Sequence, residues 1–226
     1  MQSLNVLFIG NSYTYYNNLP SMISKLAESS DEPNRLEMSM VAAGEKTLEW
    51  HYSNPETIKA IRKADWDIVV LQEFSTRPVR EKARMFQFAS KLDHKIKLSG
   101  ARTFLYLTWA RQHLPQMQER LTEAYTSLAR KLYATVAPVG IAWQKALQTD
   151  PDLPLHRKDK SHPTSMGTYL TACVFYSTFF CTSPAGLTGT IVIDGNEILN
   201  LQENKARFLQ SVAWETVREF AQSNTI

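Results

Sequence analysis

The sequence predicts a three-layer α/β sandwich around a mostly parallel, five-stranded sheet. Three observations carry that prediction. Short apolar runs rich in β-branched residues recur along the chain, with segments of helical periodicity between them. Successive runs lie about 30 to 35 residues apart, which leaves room for a right-handed β-α-β crossover each time. No linker rich in Gly, Ser or Pro interrupts the 226 residues, so a single domain over residues 1–226 is expected.

The elements follow in order. Val6-Leu7-Phe8-Ile9 is uniformly apolar and ends at Gly10-Asn11, as a strand buried on both faces does. Helical spacing follows over residues 19–29, with Pro20 and Ser21 near its start. A second strand is expected over residues 36–42. The third and clearest, Asp67-Ile68-Val69-Val70-Leu71, is rich in β-branched residues. Residues 78–98 read as a long helix and residues 103–107 as a fourth strand. Residues 115–133 place Leu121, Tyr125, Leu128 and Leu132 on one helical face. Residues 139–143 are the candidate for a short fifth strand. An apolar helix over residues 163–180 and an amphipathic one over residues 203–221 complete the chain. Residues 149–163 lack periodicity and carry Pro151, Pro154 and two histidines; a loop of that length in a compact domain is usually functional.

Composition excludes several functional classes. Apolar residues make up 43% and charged residues 21%, ordinary for a soluble globular protein. The net charge of +3 is small and the nearest basic run, His156-Arg157-Lys158, is interrupted by Asp159, so no nucleic-acid footprint is expected. No apolar stretch reaches the roughly 20 residues a membrane helix needs. The first five residues show no basic, apolar leader, which points to the cytoplasm, or to a secreted or periplasmic protein whose signal has been removed. Cys173 and Cys181 lie in what reads as one helix, about 12 Å apart along its axis. That is beyond disulfide reach, and both read as small buried hydrophobes. His51, His94, His113 and His156 are scattered without metal-site spacing, and no metal or cofactor is expected.

In open parallel sheets, sites form beyond the carboxyl ends of the strands. Those positions hold Gly10-Asn11-Ser12, Ala42-Ala43-Gly44 and Gln72-Glu73, and the late loop adds Asp159-Lys160-Ser161-His162-Pro163. A serine hydroxyl is a poor nucleophile until a base takes its proton. His162 is the candidate base, and Asp159 can hold its imidazole in one tautomer. The oxyanion formed on attack needs fixed donors, for which the Ser12 and Gly44 N–H groups and the Gln72 amide are candidates. Asn11, Tyr13, Glu73 and Trp109 are candidates for the walls of a substrate pocket. Tyr13, Tyr15 and Tyr16 form an aromatic patch that suits either a cleft or packing against the first helix. Taken singly, each motif has a plain structural reading. Gly-Asn-Ser is a common turn, Asp-x-x-His-Pro can start a helix, and Gln72 can satisfy local backbone. Their joint occurrence in this order is what points to catalysis.

Leu7-Phe8-Ile9-Gly10-Asn11-Ser12-Tyr13-Thr14 resembles the first block of the SGNH (GDSL-like) hydrolases, in the variant with Asn before the serine. Val41-Ala42-Ala43-Gly44 resembles their second block, and Asp159-Lys160-Ser161-His162-Pro163 their last. The resemblance implies a flavodoxin-like α/β/α fold and hydrolysis of short-chain acyl or acetyl esters, carbohydrate esters among them, through an acyl-enzyme. It departs at the third block, where the family's Gly-x-Asn-Asp is replaced by Val70-Leu71-Gln72-Glu73. The alternatives are a catalytically inactive domain of this fold that binds carbohydrate or another small ligand, and a flavodoxin-like nucleotide-binding domain. The full Ser12, Asp159 and His162 set argues against the first, and the lack of a Gly-rich phosphate loop after strand one against the second.

Overall fold

A computed structural model describes residues 3–30, 35–63 and 65–223 of the chain. Strands β1 (Ser3–Gly10), β2 (Arg35–Ala42), β3 (Ile68–Leu71), β4 (Arg102–Tyr106) and β5 (Thr135–Ala137) form one all-parallel sheet in the order β2-β1-β3-β4-β5. Because both faces of this sheet are covered, its central strands carry unbroken apolar runs over residues 6–9, 68–71 and 104–106. Side chains alternate between two cores. Val6, Phe8, Ile68 and Val70 face one layer; Leu7, Ile9, Val69, Leu71 and Leu105 face the other.

The first layer consists of α2 (Leu19–Glu28), α8 (Val139–Thr149), α9 (Ser165–Phe180) and α10 (Glu203–Ser223). The second consists of α3 (Leu48–Ser53), α4 (Pro55–Lys63), α6 (Lys82–Leu98) and α7 (Met117–Leu132). Helix α9 is apolar all round because α2, α8 and α10 flank it, so it has almost no solvent face. Two single-turn helices, α1 (Ser12–Tyr15) and α5 (Arg77–Arg80), are the next elements after β1 and β3. The register pairs Gly10 with Ala42, Ile9 with Leu71, and Leu71 with Leu105, so residues 11–12, 43–44 and 72–73 leave the sheet along one edge. The strand order reverses between β1 and β3, the place where open α/β sheets bind ligands.

Three expectations are corrected. The fifth strand is Thr135–Ala137, and residues 139–143 begin α8 instead. Val139, Ala142, Trp143 and Ala146 are the buried stripe of that helix, at a spacing of three and four residues. The helix expected over residues 78–98 is broken at Glu81, whose φ of −137° and ψ of 47° are not helical, leaving α5 and α6. Cys173 is buried in α9 as expected, whereas Cys181 caps that helix in the left-handed region (φ 53°) and is exposed.

The sequence reading also missed an antiparallel hairpin of β6 (Thr190–Ile193) and β7 (Asn196–Asn200). Its turn is Asp194-Gly195, both with positive φ (50° and 77°). Asp-Gly suits that left-handed turn, so this signal was readable. Among the described residues, no helix is long and apolar enough to cross a membrane.

Candidate active site

Ser12 sits on the sharp exit from β1. Asn11 caps the one-turn helix that Ser12 begins: its side-chain oxygen accepts from the Tyr13 N–H (3.2 Å) and its backbone oxygen from the Thr14 N–H (2.9 Å). The Asn11 amide reaches across to the Lys46 carbonyl (3.0 Å) and ties this turn to the loop after β2, which carries Gly44. The backbone N–H groups of Ser12 and Gly44 have no hydrogen-bond partner among the described residues.

The loop of residues 157–163 brings the other two residues to Ser12. His162 Nε2 lies 2.8 Å from Ser12 Oγ, and His162 Nδ1 lies 2.6 Å from Asp159 Oδ2. The second oxygen of Asp159 accepts from the backbone N–H groups of Ser161 and His162, both at 2.9 Å. Lys160 adopts the left-handed region (φ 61°), which brings those two N–H groups round onto one carboxylate oxygen. Partial burial pushes the Asp159 carboxyl up, but the bonds from the His162 ring and the two N–H groups outweigh it and hold the pKa down at about 2.

Ser161 docks the loop on the sheet. Its carbonyl accepts from the Trp109 indole (2.9 Å), and its hydroxyl bonds the Tyr13 phenol (2.7 Å). Trp109 in turn is sandwiched between Tyr13 (4.5 Å) and Trp143 (3.9 Å) in a stack of three parallel rings. At the base of the loop, a Cβ on Gly167 would come within 2.5 Å of the Leu155 carbonyl, so only glycine lets the chain lie so close to α9.

Gln72, expected as a third oxyanion donor, turns its amide oxygen toward the nucleophile turn. It is fully buried. Its carbonyl accepts from the Asn11 N–H (2.8 Å) and the Thr14 hydroxyl (3.0 Å), and its amide nitrogen donates to the Glu73 carbonyl (2.6 Å). A backbone N–H can only donate, so the amide orientation is fixed with its oxygen toward the nucleophile turn. Gly10 makes this approach possible, since a Cβ there would stand 2.5 Å from the Gln72 oxygen and 2.4 Å from Thr14 Oγ1.

The expected pocket walls are likewise inside. Asn11, Tyr13, Glu73 and Trp109 are each at most 3% exposed, so they support the site from beneath. Glu73 accepts from the N–H groups of Leu48 (3.2 Å) and Phe74 (2.7 Å), and burial pushes its carboxyl up to about 7 against the pull of those bonds and of Arg77. Trp109 does border a cavity of about 280 Å³, together with Trp143 and His156, but neither Ser12 nor His162 lines it. The side chains that do flank the triad at the surface are aromatic. Tyr16 stacks on the His162 ring (4.5 Å), Arg157 lies over Tyr16 (5.2 Å), and Tyr15 stacks on Tyr16 (5.5 Å) and is exposed.

One residue that touches the nucleophile turn escaped sequence reading. His51 reads there as a scattered histidine, yet its Nε2 bonds the Gly10 carbonyl (2.8 Å) two residues before Ser12. It lies on α3, a six-residue helix with little apolar periodicity to announce it.

No protein-family model and no curated protein matches the sequence. Solved structures do. A candidate SGNH hydrolase from Slackia heliotrinireducens is 26% identical, with a TM-score of 0.67 over 78% of this chain and 99% of that one. A DUF4886 family protein from Bacteroides uniformis is 16% identical and aligns over 99% of this chain and 97% of its own, with a TM-score of 0.75. An acetyl xylan esterase from Geobacillus stearothermophilus is 13% identical, with a TM-score of 0.63 over 78% of this chain and 94% of that one. With its all-parallel sheet between two helical layers, this chain has the fold of the SGNH (GDSL-like) hydrolases.

Proposed function

We propose that the chain is a serine ester hydrolase in which Ser12 is the nucleophile, His162 the general base and Asp159 the group that orients it. The observation that carries this reading is the His162 ring, which spans Ser12 Oγ at 2.8 Å and Asp159 Oδ2 at 2.6 Å. Because the Asp159 carboxylate can only accept, Nδ1 carries the proton and Nε2 is left bare toward Ser12. The hydroxyl then donates to Nε2, as a base-activated nucleophile requires.

In this mechanism Ser12 Oγ attacks the acyl carbon and its proton moves to Nε2. The oxyanion that develops accepts from the N–H groups of Ser12 and Gly44. As the tetrahedral adduct collapses, the C–O bond to the alcohol breaks and Nε2–H protonates the leaving oxygen. Water then enters by the reverse route, releasing the acid and free Ser12. Gln72 takes no part as a donor in this reading, because its side chain is buried and turns its oxygen, not its nitrogen, toward the nucleophile turn.

Short acyl or acetyl esters, those on carbohydrates included, are the proposed substrates. The exposed ring of Tyr15, which stacks on Tyr16 beside His162, suits the apolar face of a sugar ring, and a structural neighbour is an acetyl xylan esterase. The test is hydrolysis of nitrophenyl esters of increasing chain length, beside acetylated sugars, by wild type and Ser12→Ala. Turnover highest on acetyl esters and absent in the variant is expected. Turnover rising steadily to twelve or more carbons contradicts the substrate class, and full turnover by the variant contradicts the mechanism.

A further inference from the structure

We propose that His51 is a positioning residue that works with Gln72 as a clamp on the Gly10–Asn11 peptide group and so fixes the orientation of Ser12. This rests on the reading of Ser12 as nucleophile. A trans peptide group offers one acceptor and one donor, which lie in its plane and point in opposite directions. Here buried side chains take both. The Gly10 carbonyl accepts from His51 Nε2 at 2.8 Å, and the Asn11 N–H donates to Gln72 Oε1 at 2.8 Å. The two side chains reach the peptide from different elements, His51 from α3 and Gln72 from the end of β3.

The sheet alone does not supply this hold. The ladder gives the Gly10 carbonyl one longer bond, from the Ala43 N–H at 3.2 Å. On the other side, the β3 chain pairs with β1 as far as the bond from the Gln72 N–H to the Ile9 carbonyl (2.9 Å). The Gln72 side-chain oxygen then serves as the next acceptor along, extending the pairing one step past the end of the strand.

The tautomer of His51 is determined by its partners. Nε2 faces a carbonyl and must carry the proton. Nδ1 lies 2.9 Å from Thr57 Oγ1, which itself accepts from the Asn54 amide at 3.2 Å and therefore has its own proton free for Nδ1. Every bond in the chain from Asn54 through Thr57 and His51 to Gly10 runs in one direction. His51 is completely buried, and that burial depresses its pKa and keeps the ring neutral.

The test compares His51→Leu, which removes the donor, with His51→Gln, whose amide can place an N–H near the Nε2 position. Three readouts are taken on each folded protein: melting temperature, amide hydrogen exchange over residues 9–16, and kcat and KM on nitrophenyl acetate. For His51→Leu, faster exchange confined to residues 9–16 is expected, with kcat lower by roughly ten- to a hundredfold, the scale of a misplaced reacting group, and KM little changed. His51→Gln should recover most of both. A folded His51→Leu protein with wild-type exchange over residues 9–16 overturns the clamp, whatever its kcat. Faster exchange there with wild-type kcat overturns the positioning role. If wild type itself turns over no ester, the esterase reading fails, and the exchange measurement still decides whether His51 orders the turn.

Discussion

The two halves of the candidate triad are held in opposite ways. The nucleophile turn is buried and oriented from a distance: His51 and Gln72, which grip the Gly10–Asn11 peptide, lie 41 and 61 residues from their partners. The acid–base half is oriented locally. The carboxylate that orients His162 lies three residues before it, and the Asp159 and His162 side chains are 47% and 27% exposed. A local device works wherever its loop is docked, so the loop needs only a few anchors, chiefly at Ser161. At the end of β1 the Asn11 cap orders the turn that follows, but the Gly10–Asn11 peptide before it is held by the surrounding core. The buried groups that hold the nucleophile turn, His51 and Gln72, should therefore couple activity to stability, and the acid–base half should separate them.

The largest effects break the triad itself. Ser12→Ala and His162→Ala should each lower kcat by roughly a millionfold, since members of such a unit act together, with melting temperatures close to wild type. Asp159→Asn should cost less, up to about ten-thousandfold in kcat, because an amide can donate to Nδ1 and leave the proton on Nε2, the wrong tautomer. Its melting temperature should also hold. A large loss of stability in either His162→Ala or Asp159→Asn would show that this half is not the separable one.

On the nucleophile side, Gln72→Glu keeps an acceptor for the Asn11 N–H but places a buried carboxylate beside Glu73. A destabilisation on the order of 3 kcal/mol is expected, or roughly ten degrees in melting temperature, with a parallel loss of kcat. Gln72→Ala sharpens the contrast with the oxyanion-donor role first expected of this residue. A donor's removal would leave a stable protein with kcat lowered by roughly a hundred- to a thousandfold. Loss of a clamp lowers stability and kcat together, by about 1–3 kcal/mol for the buried groups left unpaired.

Glu73→Gln gives the smallest effect and one that depends on pH. The folded carboxyl is raised from 4.5 to about 7, so the folded state holds its proton more tightly than the unfolded chain does. Its contribution to stability is complete below about pH 4.5 and is lost as pH rises through 7. Gln can accept from Leu48 and Phe74 as the carboxyl does, without ionising. The variant should therefore match wild type near pH 5 and melt higher at pH 8. Equal melting differences at the two pH values would contradict the buried, raised carboxyl.

The same contrast explains what the sequence disclosed. Asp159-x-x-His162 was legible because its geometry is closed within four residues, and the alternating β and α pattern was legible because period and length are local properties. The role of Gln72 was not. Its place after β3 is right for a donor at the site, but where its amide turns depends on Gly10 leaving room for it, across the sheet. His51 was illegible for the same reason, since its partner is a backbone carbonyl, which has no sequence signature. The fifth strand was misplaced because the short apolar run at residues 139–143 fits a strand or a helix stripe equally well until its neighbours are known.

The central claim is that Ser12 is a nucleophile activated by His162. The most direct measurement is the site and rate of labelling by a fluorophosphonate, read by mass spectrometry of the peptide that contains Ser12, in wild type, Ser12→Ala and His162→Ala. A single phosphonyl adduct on Ser12 is predicted in wild type, with none in Ser12→Ala and labelling slowed severely in His162→Ala. An adduct on another residue, or labelling of Ser12 at the same rate without His162, would contradict it.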